Sequence, residues 1–122
     1  MERKQLIPGP DHPITVEPAD VRVVVSAGST VVADTAKALV LREASYPPAY
    51  YVPLADVDEA VLRPSQTQTY CPYKGDASYY SVAGPEGEIT DAVWTYITPY
   101  DAVAEIAGYV AFYPDRVSIT TK

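Results

Sequence analysis

The stretch VRVVVSAGSTVVAD, residues 21–34, decides the fold class. Two β-branched runs flank Ala27-Gly28-Ser29, a tight-turn signal, so the segment reads as a hairpin. A second turn over Asp34–Lys37 leads into ALVLRE, residues 38–43, whose alternation points Leu39 and Leu41 to one face. The pattern predicts a three-stranded meander.

Further along, Pro47-Pro48 forces extended backbone, and Tyr50-Tyr51-Val52 reads as a short strand stopped by Pro53. A short helix is expected over Asp56–Leu62, with Asp56 as N-cap, Glu59 at the capping-box position and Pro64 as terminator. SQTQTY and ASYYSVA read as strands on either side of a turn at Cys71–Gly75. After a Gly84–Gly87 turn, DAVWTYI places Trp94 and Tyr96 on one face. A second short helix is expected from Pro99 to Ala107, capped by Thr98 and ended by Gly108. Tyr109–Tyr113 and Val117–Thr120 close the chain as strands. About eight short strands and two short helices predict a mainly β, antiparallel domain.

Residues 1–20 hold Pro8, Pro10, Pro13 and Pro18 without periodicity. They read as an N-terminal arm, with residues 21–122 as a single β-domain. His12 lies in the arm and reads as a solvated loop residue.

Composition narrows the function classes. A net charge of −7 opposes nucleic-acid binding, and equally a basic contact with a membrane surface. One cysteine and one histidine make neither a disulfide nor a metal cluster, so no metal or cofactor is expected. The opening MERKQLIPGPDHP lacks the apolar core of a signal peptide, which makes a cytoplasmic location the default. Oligomeric state leaves no signal.

The stretch with most chemical character is TYCPYKGDASYY, residues 69–80. It holds the only cysteine, Cys71, and places Lys74 on a Pro/Gly turn among four tyrosines. From Glu43 to Asp115 the only cations are Arg63 and Lys74, set among eleven carboxylates. Lys74 can pin the turn by pairing with a carboxylate such as Asp56 or Asp76. It can equally serve a ligand as a point charge, with Gly75 letting backbone N–H groups approach. Tyr51, Tyr79 and Trp94 then supply apolar walls. Cys71 reads as a small packing residue at the turn, or as a thiolate activated by Lys74.

Several of these segments together resemble a known family. VADTAKALVLRE, YYVPLADV, T-Y-CPYKG-x-A-x-Y, W-T-Y-x-x-P and I-A-G-Y-V-A-F-Y are similar to domain-of-unknown-function family 427, over roughly residues 21–119. That family carries a provisional nucleotidyltransferase label. The resemblance implies a β-tent (Mss4-like) architecture of two small sheets meeting at an angle. Its zinc-bearing relatives use paired Cys-x-x-Cys motifs, which one cysteine cannot supply.

Three functions stay open on this reading. The first is binding of a small anionic or aromatic ligand by Lys74, Cys71, Gly75, Tyr51, Tyr79 and Trp94. The second is a metal-independent enzyme using Lys74, Cys71 or a tyrosine as acid, base or nucleophile. The third is a protein-interaction module. A strongly shifted Lys or Tyr pKa beside a second acid/base favours the enzyme; a pocket holding Lys74 without one favours binding. Nucleotidyl transfer needs metal-binding carboxylates, and Asp56-Val57-Asp58 is the one Asp-x-Asp match.

Overall fold

The computed structural model describes residues 4–122. Among these residues ten strands form: β1 (Ile14–Pro18), β2 (Val23–Ala27), β3 (Thr30–Thr35), β4 (Leu39–Glu43), β5 (Ala49–Pro53), β6 (Leu62–Cys71), β7 (Gly75–Gly84), β8 (Gly87–Thr95), β9 (Tyr109–Phe112) and β10 (Ser118–Thr121). Seven make one antiparallel sheet in the order β1-β4-β5-β9-β8-β7-β6; the other three make a second, β10-β2-β3. The domain is mainly β, as its alternating patterns require.

The central strands of the large sheet carry buried residues on both faces. Val52, Val82, Val93, Val110 and Phe112 pack against Val23, Val25, Ala27 and Val32 of the small sheet. The opposite face carries Leu41, Tyr51, Ala77, Tyr96 and Ala111, which cluster with Val103 and Ile106 of the 101–106 segment. Strand alternation assigns each side chain to its face: Val52 and Tyr51, adjacent in sequence, belong to different clusters.

Three local expectations are corrected. The predicted meander does not form, because β3 and β4 pair in different sheets. The expected helix over Asp56–Leu62 is two 3₁₀ turns, Leu54–Asp56 and Glu59–Val61. Between them Val57 bridges Ala33, and the Asp58 N–H bonds the Val32 carbonyl at 2.8 Å, so strand-like contacts hold the chain out of a helix. Asp58, not Asp56, accepts the capping bond from the Ala60 N–H. The expected helix over 99–107 is likewise 3₁₀, Asp101–Ile106, broken at Val103 (φ −129°, ψ 31°). Tyr100 precedes it without a side-chain cap, its hydroxyl bonding Tyr70 instead, and its N–H is held by the Lys74 carbonyl at 3.0 Å. Gly108 does end this segment in a left-handed conformation, φ +82°.

Part of the proline-rich arm joins the sheet. Its residues 14–18 are β1, paired with β4 from Ile14↔Glu43 to Pro18↔Leu39. Proline is tolerated here because β1 is an edge strand. The Leu6 N–H bonds the Pro72 carbonyl at 2.9 Å, so the chain before β1 is fastened to the β6–β7 turn. Residues 1–3 of the arm lie outside the described residues. Among the described residues no helix is long and apolar enough to cross a membrane.

Gly75 opens β7 at φ +111°, with the Thr98 carbonyl 3.5 Å from where a Cβ would stand. Gly75→Ala is therefore expected to lower stability by roughly 1–3 kcal/mol, through backbone strain. Urea denaturation measures this; an unchanged midpoint would show that the turn relaxes freely.

Candidate ligand-binding site

Inter-strand register builds the floor of the site. Leu39 pairs with Tyr51, Tyr51 with Ala111, Ala111 with Trp94, and Trp94 with Tyr79, one continuous row across five strands. Ala111 contributes only a methyl group at the centre of this row. Across the gap Trp94 Nε1 donates to the Tyr51 hydroxyl at 3.0 Å, with the two rings edge-to-face at 6.2 Å. The indole N–H is thus satisfied by a phenol.

Tyr51, Trp94 and Tyr79 of this row line a cavity of about 260 Å³. Tyr51, Tyr79, Trp94, Tyr96 and Tyr113 provide its aromatic walls, Leu41 and Ala49 its aliphatic patches, and Tyr46 and Pro47 one rim. Glu43 and Lys74 supply the only charges in its lining. The sequence-predicted residues Lys74, Tyr51, Tyr79 and Trp94 therefore meet at one cavity. Cys71 and Gly75 are not in its wall. Cys71 is half-buried against the Leu41–Tyr51 cluster, and Gly75 is buried and acts through its backbone.

Lys74 is held at both ends. Its N–H bonds the Cys71 carbonyl at 3.2 Å, and its own carbonyl accepts from Tyr100. At the side-chain end the ammonium donates to Glu43 Oε1 and lies 5.8 Å from the Tyr96 ring centroid. The partner is thus Glu43, not Asp56 or Asp76; Asp56 accepts from Thr35 Oγ1 at 2.7 Å. Glu43 turns its second oxygen to His12 Nε2 at 2.7 Å. The His12 ring stacks on Tyr73, 4.0 Å between centroids and 6° between planes, so it is not the solvated residue expected of a loop. Lys74 and Glu43 are each 12% exposed, which removes much of the solvent screening an ordinary surface pair feels.

A family model for a domain of unknown function (DUF427) matches residues 15–122. The chain belongs to this family. No curated protein matches it.

In this DUF427 chain four ionisable groups at the site, Glu43, Tyr51, Tyr96 and Tyr113, are displaced from their ordinary values. Burial opposes ionisation of Glu43, but hydrogen bonds from Lys74 and His12 outweigh it and hold the carboxyl below its usual range. Burial pushes the Tyr51 and Tyr96 phenols well above theirs. Tyr113, desolvated and beside the Tyr79 hydroxyl, is pushed up to about 12. Tyr51, Tyr96 and Tyr113 are thus moved further from ionisation at physiological pH.

Glu43, His12, Tyr96 and Tyr113 were not among the residues singled out from sequence. Glu43 did leave a signal: it has the same strand parity as Leu39 and Leu41, so a carboxylate ends the core-facing row of β4. His12 left none, because only folding brings the arm to β4.

A depressed Glu43 gives a definite pH dependence. On acidification the unfolded chain takes up this proton first, so the stability from Glu43 is complete above the ordinary glutamate range, about 4.3, and is lost as pH falls through the lower folded value. Glu43→Gln is expected to cost about 2–3 kcal/mol at pH 7. The gap to the parent protein should hold to about pH 5 and narrow below it. Urea titrations from pH 7 to pH 3 test this; a gap that stays constant contradicts the assignment.

Proposed function

We propose that this domain binds a small neutral aromatic molecule through a polar edge that both donates and accepts hydrogen bonds. The supporting observation is a cavity walled by Trp94 and four tyrosines and ended by a Lys74–Glu43 pair that is already mutually neutralised. A ligand group facing that pair meets a carboxylate acceptor and the remaining ammonium protons together. A phenol or a primary amide matches both. A plain anion gains less, since it also meets Glu43 and a chain of net charge −7. The cavity, at about 260 Å³, lies just below the ~300–1,000 Å³ usual for ligand pockets, which favours a single-ring ligand.

Acid–base catalysis at Lys74 and Glu43 is the second reading, favoured by a second ionisable group within reach of Lys74. The tyrosine shifts are large, as that reading requires, but their direction and that of Glu43 weigh against it. The tyrosines move away from neutrality, and a depressed Glu43 is a weaker base than an ordinary glutamate. Nucleotidyl transfer has less support, since Asp56 bonds Thr35, Asp58 caps a 3₁₀ turn, and neither lines the cavity.

Trp94 is the only tryptophan, so one indole N–H resonance reports on the site. Titrating labelled protein with phenol, benzamide and benzoate should shift that resonance saturably. The two neutral compounds are expected to bind at least about tenfold more tightly than benzoate, a difference of about 1.4 kcal/mol. Glu43→Gln/Lys74→Met, which removes both charges together, should erase the preference. Tighter binding of benzoate, or no saturable shift with any of the three, would overturn the proposal.

A further inference from the structure

None of residues 4–13 is buried, and Ile7 among them is 74% exposed, yet this part of the arm is fastened along its length. Besides the Leu6–Pro72 bond, the Tyr70 hydroxyl donates to the Lys4 carbonyl at 2.6 Å and the Ala44 N–H to the Pro13 carbonyl at 2.8 Å. Ala44 takes a left-handed φ of +47°, uncommon for a residue with a Cβ, so the arm captures the N–H of a strained turn. That turn leads to Tyr46 and Pro47 on the cavity rim. His12 stands where these contacts converge. Its Nε2 meets Glu43, its ring stacks on Tyr73 next to Lys74, and the Tyr46 ring lies edge-on at 6.3 Å. His12 itself does not line the cavity.

We infer that docking of residues 4–13 and occupancy of the cavity are linked through His12, a positioning residue that acts on the ligand only by way of Glu43. The inference rests on the binding reading above and adds how that site is regulated. An ionised carboxylate only accepts hydrogen bonds, so Nε2 is the donor in the His12–Glu43 contact. With the arm docked, His12 satisfies Oε2 and Lys74 serves only Oε1. The remaining ammonium protons are then left to the ligand. With the arm released, Oε2 loses its donor in a site where Glu43 is only 12% exposed, and Lys74 is the neighbouring cation that answers it. The ligand then meets an ammonium drawn more fully onto the carboxylate. Arm and ligand therefore favour the same arrangement of Glu43 and Lys74, and by linkage each strengthens the other. Without buried side chains, residues 4–13 belong to the class of segment that opens most easily, so the linkage can act while the sheets stay folded.

With phenol as the probe and the full chain, the Trp94 indole resonance reads affinity, and hydrogen exchange of the Leu6 amide reads arm docking. In the parent protein saturating phenol should slow Leu6 exchange at least about fivefold. His12→Phe keeps a ring over Tyr73 but has no donor; it should weaken phenol binding at least about fivefold and abolish the slowing. His12→Gln, whose amide N–H stands in for Nε2, should restore both. Leu6 exchange that phenol leaves unchanged in the parent overturns the inference, whether or not His12→Phe folds. Parent-like phenol affinity in His12→Phe also overturns it and reduces His12 to a fastening of the arm. Equal losses in His12→Phe and His12→Gln overturn the role given to the donor. If phenol does not bind the parent protein at all, the binding reading itself fails and the linkage with it.

Discussion

Glu43 is the point at which three separate parts of this chain are tied. One carboxylate oxygen meets Lys74 of the β6–β7 turn and the other meets His12 of the arm, while Glu43 itself ends β4. A buried carboxylate left alone costs several kcal/mol, so this arrangement holds only when both partners are in place. It fixes where the turn lies over the sheet and where the arm crosses it. The cavity beneath then has a defined charged end.

The rest of the site follows from sheet register. Tyr51, Ala111, Trp94 and Tyr79 share a row because β5, β9, β8 and β7 pair in one particular alignment, and a slip of one residue would send each to the opposite face. Tyr51, Trp94 and Tyr79 of this row line the cavity, and a hydrogen bond joins Trp94 to Tyr51. Burial moves the Tyr51 and Tyr96 phenols, already neutral at physiological pH, still further from ionisation. On the binding proposal made above, such a site would recognise a ligand by shape and by paired donors and acceptors more than by net charge.

How much of this was legible in the sequence depended on the range of the interaction. Strand alternation and turn chemistry are local, so the β class, the Cys71–Gly75 turn and the shared face of Trp94 and Tyr96 could be read directly. The short helices were misjudged because capping residues are also local, yet Val57, Asp58 and Tyr100 are captured by backbone bonds from distant segments. The meander failed for a similar reason: alternation marks a strand but does not say which sheet it joins. Lys74 could be singled out by its isolation among carboxylates. Its partner could not, since Glu43 and His12 both lie thirty-one residues apart in sequence from the groups they meet or from each other.

The central claim is that Glu43 and Lys74 act as one coupled unit and not as two adjacent surface charges. A double-mutant cycle with Glu43→Gln, Lys74→Met and the combined variant, read by urea denaturation at pH 7, isolates that coupling. The account predicts a coupling energy of about 1.5–3 kcal/mol, with the double variant more stable than additivity allows. A value within about 0.5 kcal/mol of zero, the range of independent or exposed charges, would contradict it.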